Sequence, residues 1–123
     1  MRNAPSRVQR GVEAEAAARV FLETLGYQIL HVRYRFRGGE VDLIAREGET
    51  LCFVEVRSRA GRAPYAPEET VRSVKQHRLA KAAAHFLTHV WQQPPPPCRF
   101  DVVAVQYPGP AIRLIQNAFV TND

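Results

Sequence analysis

The spacing of hydrophobic positions changes along this chain, and each change marks an element. From Gly11 to Leu25 it is helical: Glu15, Ala18, Leu22 and Leu25 share a stripe flanked by Ala14, Ala17 and Phe21. Gly26 is placed to end that helix just beyond its C-cap. Tyr27 to Arg37 then alternates, with Leu30, Val32, Tyr34 and Phe36 on one face and His31, Arg33, Arg35 and Arg37 on the other, which predicts a strand. Gly38 to Arg59 holds two further strands around Arg46-Glu47-Gly48-Glu49-Thr50. In the first, Glu40, Asp42 and Ile44 oppose Val41, Leu43 and Ala45; in the second, Leu51, Phe53, Glu55 and Arg57 oppose Cys52, Val54 and Val56. After a loop over residues 60–67, helical spacing returns from about Glu68 to Trp91. Its stripe is Val71, Leu79, Ala82, Phe86 and Val90, with Lys75 at the near end. Arg99 to Gln106 reads as a strand, and Ile112 to Ala118 as an extra edge strand after Pro108-Gly109-Pro110.

The central hairpin carries the candidate chemistry. A two-residue turn at Gly48-Glu49 sets Asp42 directly opposite Glu55, whereas one at Glu47-Gly48 makes them diagonal neighbours. Their Cβ atoms would then lie about 5 Å or about 7–8 Å apart. In either register the two carboxylates share a face of otherwise apolar strands. Such a pair resists burial unless a cation joins it, and hard oxygen donors point to Mg²⁺ or Mn²⁺.

Other polar positions have two readings each. Glu15 is either an acid suited to the first turns of a helix or a third carboxylate aimed at the hairpin. Arg33, Arg35 and Arg37 either protect an edge strand or contact phosphates. Arg78 and Lys81 suit a solvated helix face, and Lys75 is the less ordinary placement.

Composition adds a partner class. The 123 residues make one domain, with residues 1–10 expected as a flexible basic arm and 92–98 as a Pro-rich connector. Apolar residues form 46% and charged residues 24%, which places the chain among globular proteins. The net charge of +5 favours an anionic partner, nucleic acid before membrane surface, unless it serves solubility alone. No apolar run is long enough to span a bilayer, and no secretory signal is expected behind Arg2, Arg7 and Arg10. Cys52 and Cys98 form no C-x-x-C, which fits a reducing cytoplasm. Walker and dinucleotide loops are missing. So is H-E-x-x-H, because Phe86 follows His85.

Together these residues resemble a known family. Glu15 with Ala18, Phe21 and Leu22, Gly26-Tyr27, Arg35, the block Gly39 to Ala45, the block Phe53 to Arg59, Val71, Lys75 and Arg99 to Val103 are similar to the YraN family of small bacterial proteins. That family resembles the PD-(D/E)xK, or restriction-endonuclease-like, nucleases. The resemblance implies an α/β fold: a mixed sheet flanked by helices, in the order α-β-β-β-α-β, similar to archaeal Holliday-junction resolvases. It implies Asp42 and Glu55 as metal ligands, with Glu15 completing the acidic shell and the carbonyl of Val56 as a further ligand. Arg57 stands at the usual lysine position. Arginine keeps its proton, so it could hold a phosphate but is a poor base.

The expectation is a Mg²⁺- or Mn²⁺-dependent endonuclease acting on DNA rather than RNA, on branched or junction DNA in particular. Arg33, Arg35, Arg37, Arg59 and Lys75 would hold the backbone, and a homodimer would supply two sites. The alternatives are a non-catalytic nucleic-acid-binding protein on the same fold, favoured by Arg57, and a protein-interaction module.

Overall fold

The computed structural model describes residues 6–60 and 73–120. The loop over 60–67, apart from Ala60, lies outside them, as do the expected helix start near Glu68 with Val71 and the first five residues of the expected basic arm. The elements run α1 (Arg7–Thr24), β1 (Gln28–Phe36), β2 (Gly39–Glu47), β3 (Thr50–Ala60), α2 (Ser73–Phe86), a π-helical turn (Leu87–Trp91), β4 (Cys98–Tyr107) and β5 (Ala111–Phe119). The strands form one mixed sheet in the order β1-β2-β3-β4-β5. Only β3 and β4 run parallel, as the α2 crossover between them requires. This is the α/β architecture that the resemblance implies, with β5 as the extra edge strand.

Helix α1 begins earlier than hydrophobic spacing suggests. The Ser6 hydroxyl accepts the Gln9 amide at 3.1 Å while Gln9 Oε1 accepts the Ser6 amide at 2.7 Å, a capping box that starts the helix at Arg7. Residues 7–10 are therefore helix rather than arm. At the other end the Tyr27 amide donates to Leu22 O and the Gly26 amide to Glu23 O, both at 3.0 Å. This is a Schellman arrangement with Gly26 in the expected place. The buried stripe is Ala14, Ala18 and Leu22; Leu25, expected on it, is half exposed because it already caps the helix.

The core has two halves, one on each face of the sheet. Ala14, Ala18, Leu22 and Tyr27 pack with Leu43, Ala45, Cys52, Val54, Val103 and Val105 on the α1 side. Leu79, Ala82, Ala83 and Phe86 pack with Val41, Ile44, Leu51, Phe53 and Val102 on the α2 side. Trp91 packs beside Phe86 at the edge of this second half, while Val90, expected on the α2 stripe, is exposed because the π-helical turn rotates it away. Gly39 lets α2 sit directly on the start of β2: a Cβ there would lie 2.9 Å from both Ala82 N and Arg78 O, with Phe36 closer still. Among the described residues no helix is long and apolar enough to cross a membrane.

Candidate functional site at the open end of the central hairpin

The hairpin register follows from its turn. Glu47 pairs with Thr50, leaving Gly48 and Glu49 as the two central residues. Gly48 has φ +58° and Glu49 no positive φ, the pattern of a type II′ turn. The ladder then runs to Leu43↔Val54. One step further Asp42 stands opposite Glu55, the directly opposed arrangement of the two that the sequence allows.

At that step the ladder opens. Asp42 Oδ2 accepts the Val56 amide at 2.8 Å, so a side chain takes the place of a cross-strand backbone acceptor. The N–H and C=O of one strand residue point toward the same neighbour, so the Val56 carbonyl faces the same gap. The strands also change phase here. Leu43 is buried on the α1 side but Val41, two residues away, on the α2 side. Their β1 partners are Val32 and Tyr34, and between these Arg33 has φ +56°. A non-glycine residue in that conformation costs about 1–2 kcal/mol.

The alternation expected for β1 therefore holds only in part. Leu30, Tyr34 and Phe36 pack on the α2 side, but Val32 is 41% exposed and lies outside that group. His31, expected on the arginine face, packs edge-on against Tyr34 and Phe86 instead. Two irregularities explain this: a bulge between Ile29 and His31, and the left-handed Arg33.

The phase change turns polar groups into one cavity of about 360 Å³. Glu15, Arg33, Arg35, Asp42, Glu55 and Lys75 line it, with Glu40, Val56 and Ser58 also contributing from the sheet and Val8, Gly11, Val12 and Ala14 from α1. Each cation is matched with an acid. Arg33 Nε lies 3.1 Å from both oxygens of Glu15, Arg35 Nε 3.4 Å from Glu40 Oε1, and Lys75 Nζ 3.0 Å from Glu55 Oε1. Glu55 is only 4% exposed. Burial first, and the Asp42 charge second, push its carboxyl up to about 8, and Lys75 only partly offsets them. Buried at this depth, Glu55 gives up its proton readily only where more positive charge is supplied.

This chain matches the uncharacterised protein family UPF0102 over residues 14–105, about three quarters of its length. It is 50% identical to a UPF0102 protein of Symbiobacterium thermophilum over 113 residues, covering 89% of this chain and 94% of the relative. It is 44% identical to one of Chlorobium chlorochromatii, covering 81% and 76%, and 42% identical to one of Aeromonas hydrophila, covering 94% and 88%. The chain belongs to the UPF0102 family, which is the YraN family.

In this UPF0102 chain the remaining expected site residues do not line the cavity. Arg57 follows Glu55 on the same face of β3, half-buried and paired in register with Ala104, but lines neither this cavity nor the smaller one beside it. Arg59 also lines neither. Arg37 is exposed beyond the end of β1. The smaller cavity, of about 100 Å³, shares Glu40, Asp42, Glu55 and Lys75 with the larger and adds Arg78, whose Nη2 lies 3.9 Å from Glu40 Oε2. Glu40 and Ser58 were not singled out from sequence, although period-2 spacing already puts Glu40 on the face of Asp42.

The donor set suits a hard divalent cation. Among the described residues no three His, Cys, Asp or Glu side chains form a group that could hold a metal ion, and Glu15 is already bound by Arg33. Mg²⁺ needs no more than one or two carboxylates, filling its remaining positions with water. Asp42 and Glu55 would be those two, with the Val56 carbonyl beside them.

A second polar cluster lies at the turn end of the sheet and had no signal in the sequence reading. Asp101 is fully buried and accepts Arg99 Nε through both oxygens at 3.0 and 3.1 Å and the Asn117 amide at 2.9 Å. Arg99 Nη2 also donates to Tyr27 Oη and Glu47 Oε1, both at 2.6 Å, and Gln116 Nε2 to Tyr27 Oη at 2.8 Å. Its polar groups partner one another, so it ties β4 to the hairpin and to the end of α1.

Proposed function

We propose that this UPF0102 protein is a Mg²⁺- or Mn²⁺-dependent endonuclease that hydrolyses DNA phosphodiester bonds. The observation that carries the reading is the juxtaposition of Asp42 and Glu55 one step beyond the last paired residues of the hairpin, where it opens. The same cavity holds Arg33, Arg35 and Lys75. Two opposed carboxylates in a partly dry cleft are unfavourable for stability alone and suitable for holding a cation. Mg²⁺ or Mn²⁺ bound there would polarise a phosphoryl oxygen and make water a better nucleophile.

The residues of the chain do the rest. Arg33 and Arg35 hold backbone phosphates at the rim, reading charge rather than base sequence. Asp42, fixed by the Val56 amide, and Glu55, fixed by Lys75, keep their oxygens oriented before substrate arrives. In the reaction a water oxygen bonds to phosphorus as one ester P–O bond breaks, the water releases a proton to solvent, and the leaving alkoxide takes a proton from solvent. Branched or junction DNA, with two strands to cut, would call for two copies of the chain.

Arg57, outside the cavity, favours a second reading, a nucleic-acid-binding protein without catalysis. Cleavage of plasmid and four-way-junction DNA with Mg²⁺ or Mn²⁺ separates the two. Nicked or resolved products that disappear in Asp42→Ala support the nuclease. Salt-sensitive binding with no cleavage supports the binder.

A further inference from the structure

We infer that Lys75 is the catalytic cation of this site, its ammonium contacting a non-bridging oxygen of the phosphodiester under attack. The inference rests on the hydrolase reading and names a residue that does its work. A phosphodiester attacked beside Asp42 and Glu55 builds negative charge next to two acids, and a side-chain cation there would stabilise that charge alongside the metal. Arg57 follows Glu55 on the same strand face, but it lines neither cavity. Lys75 reaches the spot from α2 instead.

Two observations separate Lys75 from the other cations, its partner and its place in both cavities, and its exposure, close to that of Arg33, leaves it open to an anion. It pairs with the deepest acid of the cavity: the Glu55 side chain is 5% exposed, against 15% for Glu15 and 37% for Glu40, the acids that Arg33 and Arg35 hold. Lys75 itself is 44% exposed, so its ammonium lies between a buried carboxylate and open space. It also belongs to both cavities that meet at Asp42 and Glu55. An ammonium has three donors, and a contact with Glu55 leaves others free to turn toward an anion.

A purely structural Lys75 would only balance Glu55, and kinetics tell the two roles apart. Lys75→Met, Lys75→Arg, Arg57→Met and the solvent-face control Lys81→Met are assayed for DNA cleavage with Mn²⁺. Each also binds a fluorescein-labelled oligonucleotide, followed by anisotropy in Ca²⁺. Lys75→Met is expected to lower kcat by about 10²-fold, the usual effect of removing one transition-state donor. Its KM should stay within about threefold, and Lys75→Arg should recover part of the loss. Arg57→Met should raise KM more than it lowers kcat, and Lys81→Met should match wild type. A Lys75→Met enzyme with wild-type kcat, or a kcat loss that falls on Arg57→Met instead, overturns the assignment. If wild type cleaves no DNA, the hydrolase reading fails and takes the catalytic role with it. The anisotropy arm then judges the phosphate contact alone: weaker binding by Lys75→Met than by Lys81→Met supports it, and equal binding removes it.

Discussion

Asp42 Oδ2 accepts the Val56 amide at 2.8 Å, and this bond holds the central hairpin open beside Glu55. The acid is thus a structural acceptor as well as a candidate ligand. Asp42→Ala leaves the Val56 amide without its acceptor and should cost about 1–3 kcal/mol. Asp42→Asn keeps an oxygen in place and should cost less. Urea denaturation of the two variants, compared with wild type in EDTA, checks the order.

Glu55 gives a pH signature with an unusual sign. Burial and Asp42 raise its carboxyl from 4.5 to about 8 in the folded chain. Between those values the native state keeps a proton that the unfolded chain releases, so stability falls as pH rises. Without divalent cation, the stability read from urea denaturation should fall steadily from pH 5 to pH 8. Glu55→Gln should flatten that slope; an unchanged slope in the variant would assign it to other groups.

Arg33 combines a strained backbone with a bidentate contact to Glu15. Arg33→Ala loses the contact and keeps the strain, whereas Arg33→Gly loses the contact and relieves it. The glycine variant should be more stable than the alanine variant by about 1 kcal/mol, the reverse of the usual order in a strand. Thermal melting of the pair decides this. Both variants should bind DNA more weakly than wild type.

Asp101 offers a test of stability away from the site. Asp101→Ala leaves Arg99 with only Glu47 as its acid and Asn117 without an acceptor, which should cost about 1–3 kcal/mol. DNA affinity of the protein that remains folded should be unchanged.

What could be read from the sequence followed local rules. Period 2 put Asp42 and Glu55 on one face, and one glycine in the turn narrowed the register to two choices. Gly26 marked the end of α1, and Pro108-Gly109-Pro110 marked the turn before β5. What escaped depends on distant partners or on rare backbone. Nothing in an arginine announces a left-handed φ, so the phase change at Arg33 and the packing of His31 were missed. Tyr27, Glu47, Arg99, Asp101 and Gln116 meet across separations of up to 89 residues, and no spacing rule links them. Arg57 sits where a motif would want it, but it does not line the cavity.

Calorimetric titration of Mn²⁺ into wild-type protein and Glu55→Gln tests the cation site most directly. The account predicts a saturable heat for wild type that is lost in Glu55→Gln. A wild-type trace showing only heat of dilution, or an undiminished isotherm in the variant, would contradict it.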